Sequence, residues 1–418
     1  MTLVDDLLAP DTIADPYPLL SALREHDPVH WSETHRSWML TRYEDVSAAF
    51  QNKALSNDRV RPLLAARKAA GRSAPSDRLM EIFADWMVVS DAPAHTRLRK
   101  LSGSAFKAQR VSSMDARIAE LVDRFVDELI AAAPSDRDIV ARIASPLPST
   151  VIATMLGAPV TDRHHFHSWS NELALVAFGT GGATRADRTD LHQRALDGLT
   201  EMVEYFRDLV ELRRRDPGED MLSAMMAADP IGIEGGALSI DELVGMCALL
   251  LFAGHETTTN AIANSALSLL AHPDQLAMLR NAPELIGTAV EELLRFDGPI
   301  KVVNRWVVAD FEVRGKTINR GEKCLLVLPA ANRDPSRFDD PDRLDITRSP
   351  NPHIAFGKGI HACIGAQVAR METRIATERL VTRLPGLRLS GPPEWADSFG
   401  SRTLARLAVD FDTVAGSQ

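Results

Sequence analysis

A chain of 418 residues, 45% of them hydrophobic, can bury a large core as one big domain or two closely packed ones. Its formal net charge of −10 argues against general nucleic-acid binding, which needs a basic face to neutralise phosphates. The three cysteines, Cys247, Cys324 and Cys363, are widely separated and contain no CxxC pair, which excludes a zinc site or disulfide framework and fits a reducing compartment.

The start, Met1-Thr2-Leu3-Val4-Asp5-Asp6, has no basic or apolar region and does not read as a signal peptide. Asp15-Pro16-Tyr17-Pro18 opens a short helix through Leu19, Leu20, Leu23 and Arg24, since proline suits a first turn. Val29-His30-Trp31 and Ser37-Trp38-Met39-Leu40 predict a small hairpin, and Tyr43 to Phe50 a helix. From Asn57 to Trp86 the periodicity breaks down, with Arg59, Arg61, Arg67, Lys68, Gly71, Arg72 and Pro75 in an irregular stretch. So long an irregular segment is expected to be functional or mobile, the alternative being a solvated loop. Pro93 then stands at the start of a helix on which His95 and Arg99, at i and i+4, share a face. That pair is either ordinary polar surface or a place to hold an anion.

Helical periodicity dominates from Val111 to about Arg215, interrupted at Pro146, Pro148, Gly157 and Pro159. The cluster Gly179-Thr180-Gly181-Gly182 predicts a flexible connection between two long helices, a candidate hinge. Ser239-Ile240-Asp241-Glu242 has the form of a capping box. The helix it starts meets no proline until Pro273, which makes it unusually long, and its apolar middle, Cys247 to Ala253, places it in the core. The most apolar run, Met246 to Ala253, is too short to span a bilayer, so the expectation is a cytoplasmic protein with no membrane association. Ala253-Gly254-His255-Glu256-Thr257-Thr258 breaks the apolar pattern with an acid and hydroxyls, which are costly to bury without partners. Hydroxyls can bond back one turn and open a helix. The segment is therefore a kink satisfied by water or, with carboxylate and alcohol side by side, a proton-delivery site.

Glu292 and Arg295, at i and i+3, can pair; by composition alone this is a surface ion pair of little worth. Short alternating strands follow from Lys301 through Arg305 to Val313, and again from Cys324 to Pro329. In Phe356-Gly357-Lys358-Gly359-Ile360-His361-Ala362-Cys363-Ile364-Gly365, glycines let a loop fold back on itself. The helix starting at Ala366 would aim its positive end at the Cys363 sulfur. Such a cysteine is either a small buried side chain or a metal-bound thiolate that takes amide donors. From Leu387 the chain is strand-like and loop-rich, with Ser401-Arg402-Thr403-Leu404 a plausible pocket-lining turn.

In chain order, His95-Thr96-Arg97-Leu98-Arg99, Ala253-Gly254-His255-Glu256-Thr257-Thr258, Glu292-Leu293-Leu294-Arg295, Asn332-Arg333-Asp334-Pro335 and the Cys363 loop resemble the cytochrome P450 family, in its soluble bacterial form. The resemblance runs along nearly the whole chain. It implies a mainly α fold with small β-sheets and a long central helix over a haem. One haem domain over residues 1–418 is expected, with no fused reductase. It also implies that the segment from Asn57 to Trp86 covers a substrate pocket, with the Gly179–Gly182 hinge in its lid.

The cofactor implied is haem b, with Cys363 as axial ligand to the iron. Phe356 is its shield, and Gly357, Gly359 and Gly365 shape the loop. His95, Arg99, Arg305 and His361 are implied as propionate contacts. Ala253 and Gly254 form the surface a small ligand approaches, Thr257 holds oxygen and a water, and Glu256 relays protons where many relatives have Asp. Glu292 and Arg295, completed by Arg343 of Pro341-Asp342-Arg343-Leu344, are implied as a buried group serving folding and haem retention. Leu249, Phe252, Val302 and Leu404, with Ala253, are candidate pocket walls for an apolar substrate, each equally explicable as core. The activity implied is monooxygenation: one atom of O2 enters a small organic substrate and the other leaves as water. Electrons would come from a ferredoxin and ferredoxin reductase, steered by Arg99, Lys100, Lys107, Arg110 and Lys358. The alternatives are a haem-thiolate sensor or carrier without turnover, and a family member that couples rings, desaturates or uses peroxide directly.

Overall fold

The longest helix, Ile240–Ala271, begins where the sequence supplies its own cap. The Ser239 hydroxyl accepts from the Glu242 amide and the Glu242 carboxylate from the Ser239 amide, satisfying two donors that a helix start leaves open. The structure, a computed structural model, describes residues 5–74, 76–177, 185–228, 231, 233 and 235–412. Along most of its length the central helix is buried on all sides, as an apolar helix through a core must be. It packs against helices Pro146–Leu156, Arg163–Ala177, Arg185–Arg215 and Ala366–Arg383. Gly157 ends the first of these in a left-handed conformation with φ of 79°, the usual role of glycine there.

The largest sheet combines β1 (Val29–Ser32), β2 (Ser37–Leu40), β3 (Leu55–Ser56), β4 (Val302–Val307) and β5 (Lys323–Val327) in the order β1-β2-β5-β4-β3. β2 runs parallel to β5, with Trp38 opposite Cys324, and the other neighbours are antiparallel, with Arg305 also opposite Cys324. Alternation along β4 decides two expected roles. Val302 packs into a cluster with Leu7, Leu20, Met39 and Leu325, while Arg305 lies on the other face. Val302, expected as a candidate pocket wall or as core, thus packs in the N-terminal apolar cluster.

The expected irregular stretch after Asn57 contains two helices, Val60–Ala69 and Asp77–Ala84. Val60 and Leu79 anchor them in the main apolar cluster. Their charges, which obscured the periodicity, tie the segment together through Arg61 with Asp58 and Asp85, and Arg67 with Asp77. The expected hinge at Gly179–Gly182 lies outside the described residues. The central helix continues unbroken through Ala253–Thr258: Thr257 Oγ1 donates to the Ala253 carbonyl at 2.9 Å without opening it.

Glu292 and Arg295 are fully buried. Arg295 Nε and Nη2 donate to the two Glu292 oxygens at 2.7 and 2.8 Å. The third member is not Arg343, which is exposed and offers only its carbonyl, to Arg295 at 3.2 Å and to Arg348 at 3.4 Å. It is Arg348, whose Nε lies 3.2 and 3.1 Å from the Glu292 oxygens. The reason is local: Leu344, buried in the core, turns its neighbour Arg343 outward. The chain then returns to Glu292 through the Asp345 amide at 2.9 Å and Asn351 Nδ2 at 3.1 Å.

On the opposite side of the central helix from Thr257, His255 is buried with its ring against that of His167, centroids 5.3 Å apart. Burial, and secondarily His167, pushes its pKa down to about 3.

Glu292→Ala should lower the urea-measured unfolding free energy by about 3–5 kcal/mol, because it leaves buried guanidinium charge unpaired. Arg343→Ala should change it by under about 0.5 kcal/mol, as a surface substitution does; a loss at Arg343 matching that of Arg348→Ala would restore Arg343 to the group. His255 predicts an acid sensitivity. Folded His255 stays neutral while the unfolded chain takes up a proton below about pH 6.5, so its contribution is full above that pH. It declines by about 1.4 kcal/mol per pH unit as pH falls toward the folded value. His255→Leu should flatten the stability profile between about pH 6 and 4; an unchanged slope would place the acid sensitivity elsewhere.

Candidate active site

The loop ahead of the last long helix is shaped by backbone that side chains disfavour. Gly357 and Gly359 have φ of 68° and 74°, the left-handed region that glycine enters without strain. At Gly359 a Cβ would also stand 3.1 Å from the Phe50 carbonyl oxygen. The turn closes with the Cys363 amide donating to the Phe356 carbonyl at 2.9 Å. Gly365, the N-cap of helix Ala366–Arg383, donates its amide to the Cys363 sulfur.

Cys363 has accessible surface, yet burial is the largest influence on its thiol and raises its pKa above the ordinary value. The Gly365 amide, Arg99 and Arg370 act in the opposite direction. Both observations hold if the sulfur lines an opening enclosed by protein. Such a sulfur is desolvated as a thiol and suited to a cation that would stabilise the thiolate.

Basic side chains gather at the same place. His95 comes from helix Ala94–Gly103 with Arg99 one turn on, His361 from the loop and Arg305 from β4. The His95 and His361 rings are 3.8 Å apart. His95 Nδ1 and His361 Nε2 are buried without a hydrogen-bond partner. Among the described residues Arg99 has no hydrogen bond or ion pair. Arg305 finds only its neighbour's carbonyl, Asn304 O at 3.0 Å, and the Phe50 ring. Burial, with His95 and Arg305 next, pushes the His361 pKa down to about 3; burial and then Arg59 push that of Arg305 to about 10. The carboxylate facing this group is Asp91, itself accepting from Ser56 and from the Asn57 amide. Desolvated basic groups that outnumber their counter-charges call for an anionic ligand. Arg59, read from sequence as part of an irregular loop, belongs to this group; nothing in its local pattern pointed to Arg305, far along the chain.

The central helix presents a second uncovered surface. Ala253 is exposed immediately after a fully buried turn, and Thr257, four residues on, shares its face. Gly254 points elsewhere: a Cβ there would meet Ile152 of helix Pro146–Leu156 at 3.4 Å. A side chain at this position would face that helix and not the surface shared by Ala253 and Thr257. Glu256 is turned toward the C-terminal segment, where Asn260 Nδ2 donates to it at 3.2 Å and Thr403 Oγ1 at 3.4 Å. Burial raises its pKa against both bonds. Leu249, Phe252 and Leu404 belong to the main apolar cluster, with Phe252 near the Trp86 ring, centroids 6.0 Å apart.

Four further contacts were not anticipated from sequence. Arg97 pairs with Glu242 at 2.6 Å, tying the His95 helix to the cap of the central helix. Glu291, beside the buried Glu292, binds Arg370 at 2.6 Å and His353 at 3.0 Å. Arg370 in turn lies over the Phe356 ring at 4.3 Å, which braces the Cys363 loop from behind. No local spacing signals these contacts, because the partners lie far apart in sequence.

Among the described residues no group of His, Cys, Asp and Glu could hold a metal ion alone, so a metal at Cys363 would have to bring most of its ligands with it. An iron porphyrin does so, and its two carboxylates fit the under-paired His95, Arg99, Arg305 and His361. No helix among the described residues is long and apolar enough to cross a membrane.

The family model described as Cytochrome P450 matches residues 28–385. The chain is 38% identical over 393 residues to the Cytochrome P450 monooxygenase PikC of Streptomyces venezuelae, covering 92% of this chain and 88% of that one. It is 39% identical over 390 residues to the Vitamin D(3) 25-hydroxylase of Pseudonocardia autotrophica, covering 92% and 90%. The crystal structure of CalO2 superimposes with a TM-score of 0.87 at 33% identity, over 98% of this chain and 99% of that one. The chain belongs to the cytochrome P450 family of monooxygenases, which bind haem b through a cysteine thiolate.

Proposed function

We propose that this protein, as a single haem domain, inserts one atom of O2 into a small apolar organic substrate at a haem held by Cys363. A ferredoxin and its reductase supply the electrons. The observation that carries the reading is the desolvated Cys363 sulfur set beside basic side chains that lack counter-charges. Bound haem supplies a thiolate-ligated iron that favours cleavage of the oxygen–oxygen bond.

The residues around it divide the remaining work. The Gly365 amide, Arg99 and Arg370 stabilise the Cys363 thiolate, and the Phe356 ring covers that side. His95, Arg99, Arg305 and His361 would bind the propionates, neutralising charge that burial otherwise makes costly. Thr257 donates its proton to the Ala253 carbonyl, which leaves its oxygen free to accept from a water on the uncovered face of the helix. Glu256, which burial biases toward its protonated form, holds a proton one residue away. Leu249, Phe252 and Leu404 offer apolar surface to a substrate; the hydroxylase relative named for vitamin D(3) is consistent with an apolar ligand.

Lys100, Lys107 and Lys358 are exposed in segments that flank the Cys363 loop. A positive patch there would steer an acidic ferredoxin despite the chain's net charge. The free cysteines suit a reducing cytoplasm.

The dithionite-reduced protein under carbon monoxide should give a strongly red-shifted Soret band, lost in Cys363→Ala. A globin-like band in the parent protein would remove Cys363 as ligand. Thr257→Ala should retain haem and reducibility while diverting most electrons to hydrogen peroxide, a loss of product per electron of about tenfold or more. Tight coupling in that variant would refute the role of Thr257.

A further inference from the structure

The Glu256 carboxylate does not end in apolar packing. Thr403 Oγ1 lies 3.4 Å from Glu256 Oε1, Ser401 Oγ lies 2.8 Å from Thr403 Oγ1, and Ser398 Oγ lies 2.6 Å from Ser401 Oγ. Neighbouring donors restrict which way these hydroxyls point. Asn260 Nδ2 donates to Thr403 Oγ1 at 3.1 Å, and the Ser401 amide donates to Ser398 Oγ at 3.2 Å. Each hydroxyl then has one proton to give, and while the Glu256 carboxylate is ionised and awaiting a proton one arrangement satisfies every pair: Ser398 donates to Ser401, Ser401 to Thr403, and Thr403 to Glu256.

The turn that carries the hydroxyls is held firmly. Asn264 Nδ2 of the central helix donates to the Arg402 carbonyl at 2.9 Å. The Arg402 guanidinium pairs with Asp297 at 3.1 Å and stacks over Trp395 at 3.4 Å. Ser401 and Ser398 are buried, at 2% and 7% exposure, Thr403 at the inner end is half-buried, and Asp397, next to Ser398, is exposed.

We propose that Ser398, Ser401 and Thr403 form a proton wire that recharges Glu256 from solvent. This rests on the reading of Glu256 as a proton donor. In one passage a proton from water binds Ser398 Oγ as the Ser398 proton moves to Ser401, that of Ser401 to Thr403, and that of Thr403 to Glu256. Every hydroxyl ends with one proton and the carboxylate gains one, so nothing is oxidised or reduced. The Thr403 to Glu256 link, at the outer limit of a hydrogen bond, is the slow step. Thr403, Ser401 and Ser398 are positioning residues that act through Glu256.

The test uses the haem-loaded protein with a ferredoxin and its reductase, and dioxygen alone as the probe. Reduction of dioxygen consumes protons whether it ends as peroxide or as water, so no organic substrate is needed. Ser401→Ala should slow dioxygen consumption about tenfold and enlarge its solvent deuterium isotope effect, and Ser401→Thr should restore both. Glu256→Gln should also slow consumption, and Glu256→Gln combined with Ser401→Ala should be no slower than Glu256→Gln alone, as two steps in series require. A second readout does not depend on turnover: the infrared carboxylic band that Glu256→Gln removes should exchange its proton for deuterium more slowly in Ser401→Ala. Ser398→Ala, at the end of the row away from Glu256, gives the same test if Ser401→Ala fails to fold. Parent-like consumption and exchange in both serine variants, with Glu256→Gln slowed, would overturn the wire and leave Glu256 in place. Parent-like consumption in Glu256→Gln would overturn both.

Discussion

A carboxylate without exposed surface must draw all its hydrogen-bond donors from the protein, and Glu292 draws them from segments that the fold would otherwise have no reason to bring together. Arg295 comes from its own helix, and the Asp345 amide, Arg348 and Asn351 come from the chain just ahead of the Cys363 loop. Removing any one leaves charge in a place water does not reach. The loop that presents the sulfur is therefore positioned by a neighbour that takes no part in the chemistry. Glu291, the preceding residue, is only half-buried and holds His353, ahead of the loop, and Arg370, beyond it.

The basic group around His95, Arg99, Arg305 and His361 is the inverse case. At Glu292 every donor has its acceptor; here donors and cations are buried with too few acceptors. A folded chain tolerates that arrangement when a ligand completes it. The contrast separates a group that serves the fold from a group that serves a cofactor, although both consist of buried charge.

The central helix joins the two regions and divides its faces among different tasks. Ala253 and Thr257 line the uncovered side, Gly254 packs against Ile152, His255 against His167, and Glu256 turns to the C-terminal segment. Five consecutive residues thus meet different surroundings, because each step along a helix turns the side chain by about 100°. Sequence placed all of them in one motif; the rotation around the axis assigns them to separate surfaces.

What the sequence determined by itself was set by short-range rules. The Ser239–Glu242 cap, the proline-free run to Pro273, the helix end at Gly157 and the glycine-shaped turn before Cys363 all depend on residues within a few positions of one another. The ordered motifs were enough to indicate the family and the cysteine. Tertiary structure decided which distant groups meet. It put Arg348 and not Arg343 on Glu292, sent Val302 into the N-terminal core, built helices from the charged stretch after Asn57, and set Arg59 beside Arg305 and Thr403 beside Glu256. Side-chain partners tens or hundreds of residues apart are chosen by how strands register and helices pack. A local pattern carries no record of that choice.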